Sequence, residues 1–166
     1  MIDLSGKSAV ITGGARGIGR AIALRFAEQG ADVAFSYRGN AEAAAATVAD
    51  IEALGRVALS VKADVADPAS AKELIDSAIA ELGKIDILVN NAGITRDDLI
   101  MRMKPEDWND VIDTNLSGTF WTIKAATRPM MKARGGRIIN ITSVSGQAGQ
   151  IGQTNYSSSK AGLIGL

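Results

Sequence analysis

The sequence contains neither histidine nor cysteine among its 166 residues. Without cysteine the chain can form no disulfide framework, thiolate nucleophile or iron–sulfur site. Without histidine it can form neither a Ser-His-Asp triad nor the zinc-binding helix of the HExxH type. We therefore expect no metal site, and we expect any acid–base chemistry to use carboxylates, lysine or tyrosine.

An excess of positive charge is also missing, because 18 Lys and Arg residues balance 18 Asp and Glu residues, and aromatic residues make up only 4% of the chain. Surfaces that bind nucleic acids or anionic membranes need a basic excess, and single-strand platforms need aromatic rings. No apolar run is long enough for a signal peptide or a membrane span. These absences predict a cytoplasmic protein that binds neither nucleic acid nor membrane.

Short β-branched runs alternate with longer helical patterns along the whole chain. The runs are almost continuously apolar, which is typical of parallel strands covered on both faces. This alternation predicts an α/β fold, a doubly wound parallel sheet of the Rossmann type with strand order 3-2-1-4-5 and helices on both faces. The predicted strands cover 8–12, 32–37, 57–62, 85–90 and 137–142, and the predicted helices cover 17–29, 41–54, 68–82 and 105–133.

The last segment, residues 155–166, reads as the opening of another helix that no further strand follows. We expect one domain over residues 1–166 that is incomplete at its C-terminus, with the fifth strand left as an open edge. Pro129 should kink the long helix or end its regular part, because proline lacks the N–H that a helix interior needs.

A glycine-rich turn follows the first predicted strand and leads directly into a helix. Glycines there let the backbone approach a pyrophosphate, and the helix N-terminus offers free N–H groups. The absence of a Gly-Lys-Ser/Thr sequence excludes a P-loop. A tight turn with incidental glycines is the alternative, but the strand before and the helix after favour a cofactor site. The candidate binding residues are Gly13, Arg16, Gly17, Ile18 and Gly19.

The end of the second strand indicates which dinucleotide the turn would hold. A carboxylate about 20 residues past the glycine turn would bind the ribose hydroxyls of NAD, but residues 35–40 contain no acid. They contain Arg38, and Arg16 stands in the turn itself. Two cations without a competing carboxylate suit a 2′-phosphate, which predicts NADP(H). The alternative is that Arg38 is a solvated loop charge.

Two further polar segments follow the third and fourth strands, where open α/β sheets bind ligands. Asp64 and Val65 come after the third strand, and Asn91, Ala92 and Gly93 come after the fourth. Singly, the aspartate could cap a helix and the asparagine could form a turn. Their joint placement at one sheet edge favours a shared ligand site.

Tyr156 and Lys160 are four residues apart on a predicted helix, so both side chains lie on one face. An ammonium held near a phenol favours the phenolate, and such a tyrosine can donate a proton to a forming alkoxide. An exposed helix pair is the alternative reading of so common a pattern. Ser143 follows the fifth strand and could hydrogen-bond a substrate carbonyl. Asn115 interrupts the middle helical region, where it could serve a proton relay or mark a kink.

These motifs together resemble the classical short-chain dehydrogenase/reductase family, in order and with matching spacing over residues 4–166. The carrying motifs are TGGARGIG, NNAG, Asn115, Ser143 and the Tyr156-x-x-x-Lys160 pair. The resemblance implies that Tyr156 donates the proton and that Lys160 lowers the pKa of the phenol and binds the nicotinamide ribose. It further implies that Ser143 positions the carbonyl and that Asn115 maintains the relay.

Within the family, the stretches AGITRDDLIMRMKPEDWNDVIDTNLSGTF and RGGRIINITSVSGQAGQIGQTNYSSSKAGLIGL are similar to bacterial 3-oxoacyl-acyl carrier protein reductases. The similarity implies NADPH-dependent reduction of a 3-oxoacyl thioester in fatty acid synthesis. It also implies that the carrier protein docks near Arg128, although Arg128 could instead be an ordinary solvated charge on a helix. Finally, it implies a homo-oligomer, typically a tetramer. Other readings are an acetoacetyl-CoA reductase, an inactive NADP-binding fragment and an assembly module that pairs through the open edge.

Overall fold

A computed structural model describes residues 2–166 as five strands and seven α-helices with one π-helical segment. The strands are β1 (Ser8–Ile11), β2 (Asp32–Tyr37), β3 (Ala58–Lys62), β4 (Ile87–Asn90) and β5 (Arg137–Asn140). The helices are α1 (Gly17–Glu28), α2 (Ala41–Ala53), α3 (Pro68–Leu82), α4 (Pro105–Ile112), α5 (Gly118–Lys132), α6 (Val144–Ala148) and α7 (Thr154–Gly165), and the π-helical segment is Asp113–Ser117.

The strands form one parallel sheet with the order β3-β2-β1-β4-β5. This confirms the predicted doubly wound fold and its strand order. The strand order reverses between β1 and β4, because the chain extends the sheet first to one side of β1 and then to the other. The carboxyl ends of both strands therefore border the crevice where such sheets bind ligands.

Two apolar clusters cover the two faces of the sheet, because successive side chains of a strand point to opposite faces. Val10 packs with Leu74 and Leu88 on the face that α3 and α5 cover. Its neighbour Ile11 packs with Phe35 on the face that α1 and α2 cover. Every residue of β1 is buried, so the strand that leads into the glycine-rich turn is fixed on both sides.

Local sequence signals set the ends of α3. The Asp67 side chain accepts a hydrogen bond from the Ser70 N–H at 2.8 Å, and Pro68 occupies the first turn, where its missing N–H costs nothing. Gly83 ends the helix in the left-handed conformation at a φ of 78°, which glycine adopts without steric cost.

The helical region 105–133 departs from the sequence prediction in two ways. It is divided by the π-helical segment, in which the Gly118 N–H donates to the Asp113 carbonyl oxygen. Pro129 lies inside α5, which continues to Lys132, so of its two predicted effects the end of the helix is wrong, and the kink stays a prediction. The proline is close to the C-terminal end of α5, so its missing N–H removes only one hydrogen bond near a helix terminus.

Strand β5 lies at the edge of the sheet, as the sequence predicts. Its residues Ile138 and Ile139 are 40% and 41% exposed, in contrast to the buried strand β1. Within residues 2–166, no helix is both long and apolar enough to cross a bilayer.

Candidate active site

The glycine-rich turn is held by the neighbouring strand β2. The Gly13 N–H donates to Ser36 Oγ at 3.0 Å, and the Gly14 N–H donates to the Ser36 carbonyl oxygen at 2.9 Å. A Cβ atom at Gly19 would overlap the Gly13 carbonyl oxygen and approach Asn91 Nδ2 to 2.6 Å. Gly19 therefore lets α1 begin directly against the turn, which brings its N-terminus to the sheet edge.

The N-terminus of α1 fits a dinucleotide pyrophosphate. Its first turn contains no acidic residue, and among residues 2–166 no side chain caps it. Gly17 has a φ of 55°, and a Cβ atom built there would meet no atom of the described chain, residues 2–166, within 4 Å. The turn thus presents free N–H groups and an open space to a phosphate, with the exposed Arg16 beside them.

Thr12 joins the glycine-rich turn to the turn after β4. Its Oγ1 accepts hydrogen bonds from the N–H groups of Asn91 and Ala92 at 3.0 and 2.9 Å. The Asn91 side chain donates back to the Thr12 carbonyl oxygen at 3.0 Å. This buried threonine fixes two predicted cofactor-binding segments against each other, and sequence reasoning did not identify it.

The structure places Asp64, a predicted ligand-site residue, beside Arg38, and the sequence argument did not foresee this pairing. Arg38 Nη1 lies 3.8 Å from Asp64 Oδ2, although both side chains are largely exposed. Residues 35–40 supply no acid, but the parallel sheet brings the end of β3 beside the end of β2. Val65 is buried, and a Cβ atom at Gly118 would lie 2.9 Å from Val65 Cγ2. The assumption that no carboxylate competes for Arg38 is therefore wrong.

Lys160 is buried beside the Tyr156 ring. Its Nζ donates to the Ile141 carbonyl oxygen at 2.7 Å and lies 5.7 Å from the centroid of the ring. Only 4% of Lys160 is exposed, and this burial lowers the pKa of its ammonium below the ordinary value. The spacing prediction that both side chains lie on one face of a helix agrees with this geometry.

Asn115 lies in the middle of the π-helical segment and binds the chain just after the NNAG turn. Its Oδ1 accepts from the Ile94 N–H at 2.8 Å, and its Nδ2 donates to the Ile94 carbonyl oxygen at 3.0 Å and to Ser159 Oγ at 3.1 Å. A Cβ atom at Gly93 would lie 3.2 Å from Asn115 Oδ1 and 3.7 Å from Lys160 Nζ. The turn, Asn115 and Lys160 therefore meet around this glycine.

Ser143 lies at the N-terminus of α6, where its Oγ accepts from the Ser145 N–H at 3.2 Å. A Cβ atom at Gly146 would lie 2.7 Å from the Lys160 carbonyl carbon, so α6 packs directly on the backbone of α7. Thr142 Oγ1 also donates to the Lys160 carbonyl oxygen at 2.7 Å. These contacts bring Ser143 to the helix that carries Tyr156 and Lys160.

Arg128 lies on α5 and is exposed. The described contacts of Arg128 do not show whether it is a docking residue or an ordinary solvated charge, so its docking role stays a prediction. The roles assigned to the other site residues also stay predictions, although the structure gathers them along one edge of the sheet.

Sequence reasoning missed several residues that hold this edge together. Thr12 and Ser36 bind the turns, and Asn155 and Ser159 are fully buried on α7. The last two are four residues apart, and they flank the Tyr156 position on the same helix. That spacing was an available signal, because polar residues on a buried helix face need partners.

The chain matches the family model described as short chain dehydrogenase over residues 7–166. The chain belongs to the short-chain dehydrogenase family. A solved structure from Sinorhizobium meliloti, whose description places it among the short-chain alcohol dehydrogenases, is 40% identical to this chain in sequence. The two superpose with a TM-score of 0.94, and the match covers 98% of this chain and 64% of the other.

Curated relatives of this short-chain dehydrogenase carry the name 3-oxoacyl-[acyl-carrier-protein] reductase. The Staphylococcus aureus protein is 52% identical over 160 residues, which are 96% of this chain and 65% of that protein. The Escherichia coli protein is 51% identical over 165 residues, which are 99% of this chain and 66% of that protein. The Synechocystis protein is 50% identical over 166 residues, which are 100% of this chain and 67% of that protein. The chain thus spans about two thirds of these relatives.

Proposed function

We propose that the protein catalyses NADPH-dependent reduction of a 3-oxoacyl thioester to the 3-hydroxyacyl thioester. The observation that carries this proposal is the buried ammonium of Lys160 beside the Tyr156 ring, 5.7 Å from its centroid. In a chain without histidine this pair is the best-placed acid–base group at the ligand edge of the sheet.

The chemistry follows from what the site residues can donate. A bound NADPH would supply the hydride that the carbonyl carbon of the substrate accepts. The Ser143 hydroxyl hydrogen-bonds the substrate carbonyl oxygen and orients it. The Tyr156 phenol gives its proton to that oxygen as the C=O double bond becomes a C–O single bond, and Lys160 stabilises the resulting phenolate. Asn115 holds the segment after the NNAG turn in place and thereby supports the proton relay.

The proposed cofactor is NADP(H) rather than NAD(H). Arg16 beside the α1 N-terminus and Arg38 after β2 supply two cations for a 2′-phosphate. The Asp64 carboxylate lies 3.8 Å from Arg38, so a phosphate that binds Arg38 replaces a weak, exposed ion pair by a charge-assisted hydrogen bond. Gly13, Gly17 and Gly19 would admit the pyrophosphate, and Asn91, Ala92 and Gly93 would border the ribose.

The proposed substrate is a 3-oxoacyl group linked to an acyl carrier protein, because the names of the curated relatives specify that substrate. Arg128 is the proposed docking residue, and a homotetramer in the cytoplasm is the proposed working form. Acetoacetyl-CoA is the alternative substrate, since the site residues act on the keto thioester and not on its carrier.

Replacement of Tyr156 tests the reaction. We expect the full chain to oxidise NADPH in the presence of an acetoacetyl thioester, and we expect Tyr156→Phe to lower kcat by at least about 100-fold because it removes the proton donor. Tyr37→Phe is the matched control, because Tyr37 is the other tyrosine and lies on β2. NADPH binding without turnover by the wild-type chain would refute the reductase proposal in favour of a cofactor-binding fragment.

Arg38 tests the cofactor preference. We expect Arg38→Ala to raise the Kd of NADPH about tenfold, the value of one charge-assisted hydrogen bond at an exposed site, and to leave the Kd of NADH unchanged. Isothermal titration measures both constants. Arg25→Ala is the control, because Arg25 lies on the exposed face of α1 and pairs with Glu28. An equal loss for NADPH and NADH would show that Arg38 does not bind the 2′-phosphate.

A further inference from the structure

The first turn of α7 carries Tyr156 but is not capped in the usual way. Gln153 occupies the N-cap position, and within the described residues 2–166 its side chain makes no capping hydrogen bond. It donates instead to Asp97 Oδ2 at 2.9 Å. The first N–H groups of a helix have no partner within the helix, so an uncapped first turn frays. Some other contact must therefore hold Tyr156 in place.

Asn155 makes that contact. It is fully buried, and its Nδ2 donates to the Arg96 carbonyl oxygen at 2.8 Å and to the Asp107 carbonyl oxygen at 3.2 Å. Its Oδ1 accepts from the Tyr156 N–H at 2.8 Å. One side chain thus ties the Tyr156 backbone to the loop after β4 and to helix α4.

Neighbouring hydrogen bonds extend the same attachment along the chain. The Asp98 N–H donates to the Gly152 carbonyl oxygen at 2.9 Å. Ser159 Oγ donates to the Tyr156 carbonyl oxygen at 2.7 Å and accepts from Asn115 Nδ2 at 3.1 Å. Both the N–H and the C=O of Tyr156 therefore bond to buried side chains of its own helix, and each of those side chains is anchored outside it.

We propose that Asn155 is a positioning residue that holds the Tyr156 phenol over the substrate by fixing the first turn of α7. Asn155 acts through the backbone and bonds neither Lys160 nor the phenol oxygen. The proposal rests on the proposed function for the role of Tyr156 as proton donor, whereas the fixing of the helix turn is independent of it.

The wild-type chain provides a first test that needs no substitution. We expect the Tyr156 amide hydrogen to exchange with solvent only through global unfolding, because it is bonded to a buried side chain that is itself anchored. Hydrogen exchange followed by NMR measures this rate against the amides of β1. Exchange of the Tyr156 amide at the rate of a frayed helix end would overturn the proposal, whether or not the protein is a reductase.

Two substitutions then test the effect on catalysis. Asn155→Ala removes all three hydrogen bonds, and we expect kcat to fall about tenfold while the Kd of NADPH changes less than about twofold. Asn155→Asp keeps the size, but only its protonated form can donate to the Arg96 carbonyl oxygen. We therefore expect Asn155→Asp to have a kcat near that of the wild type at about pH 5.5, and near that of Asn155→Ala at about pH 8.5.

Asn109→Asp and Ser158→Ala are the matched controls, because Asn109 is exposed on α4 and Ser158 is exposed on α7. Asn155 bonds the backbone of Arg96 and Asp107, Arg96 pairs with Asp110 at 3.8 Å, and the other charged residues near these in the chain are Asp97, Asp98 and, further along α7, Lys160. All are present in the wild type and in Asn109→Asp, so their titration is subtracted by comparing pH profiles.

Two results would refute the role in catalysis. One is a kcat of Asn155→Asp that follows the wild type across the whole pH range while circular dichroism shows a folded chain. The other is a loss of kcat in Asn155→Ala that is fully explained by the fraction unfolded. If the wild-type chain itself reduces no thioester, the proposed function fails, and amide exchange in Asn155→Asp still decides whether the residue fixes the helix turn.

Discussion

The two ends of the ligand edge are held in different ways. At the glycine-rich turn, the buried residues of α1 are Gly19, Ala23 and Ala27, so backbone approaches backbone over small side chains. At the end that carries Tyr156, the buried residues of α7 are Asn155, Ser159, Lys160 and Leu163. A closely packed site is destabilised by a substitution that adds an atom, whereas a buried, hydrogen-bonded helix face is destabilised by one that removes a donor or an acceptor. Opposite kinds of substitution should therefore damage the two ends.

The largest effect on stability is expected from an added methyl group at the glycine-rich turn. Gly19→Ala would place a Cβ atom against the Gly13 carbonyl oxygen and Asn91 Nδ2, and we expect the free energy of unfolding to fall by about 2–3 kcal/mol. NADPH binding should be lost at the concentration that saturates the wild type. Urea denaturation and fluorescence titration measure the two effects.

Gly39→Ala is the control for that substitution, because a Cβ atom there would meet nothing within 4 Å. We expect its free energy of unfolding to equal that of the wild type within about 0.5 kcal/mol. If Gly19→Ala were as stable as this control, close packing would not be what holds the glycine-rich turn.

An intermediate effect is expected from a lost buried hydroxyl on α5, beside the end of β4. Thr122 is fully buried on α5, and its Oγ1 donates to Asn90 Oδ1 at 2.6 Å. Thr122→Val keeps the shape but leaves that oxygen without this donor, so we expect a loss of about 1.5 kcal/mol in the free energy of unfolding.

Thr127→Val on the same helix removes an exposed hydroxyl whose only bond within residues 2–166 goes to the Ile123 carbonyl oxygen at 2.7 Å. We expect it to change the free energy of unfolding by less than about 0.5 kcal/mol. Equal effects of the two substitutions in urea denaturation would mean that burial of the hydroxyl does not matter.

The smallest effect is expected in the pH dependence of stability. Burial lowers the pKa of Lys160 below the ordinary value of 10.5, so the unfolded chain binds this proton more tightly than the folded chain does. Stability rises with pH wherever the unfolded state binds more protons. The wild type should therefore gain stability relative to Lys160→Met as pH rises from about 7 towards 10.

Lys72→Met is the control for that pH series, because Lys72 is exposed on α3 and pairs with Asp76. We expect the difference in free energy of unfolding between the wild type and Lys72→Met, measured with urea at each pH, to stay constant as pH rises. A flat difference between the wild type and Lys160→Met would show that the buried ammonium is not disfavoured in the folded state.

The sequence predicted the features that depend on local pattern. The strand order, the bounds of α3 and the Tyr156–Lys160 face all follow from apolar runs, turn residues and helical spacing. The π-helical segment could not be predicted, because the bonds that Asn115 makes from it to Ile94 and Ser159 are tertiary contacts. Likewise, Asp64 reaches Arg38 only because β2 and β3 are neighbours.

The Thr12 hydroxyl has a consequence for the order of folding. It bonds two N–H groups that lie 79 and 80 residues further along the chain. Those bonds form only when β4 docks beside β1, and the entropy cost of closing the intervening loop comes before they can offset it. During synthesis, this edge of the sheet therefore cannot assemble until the NNAG turn has left the ribosome, however early the glycine-rich turn emerges.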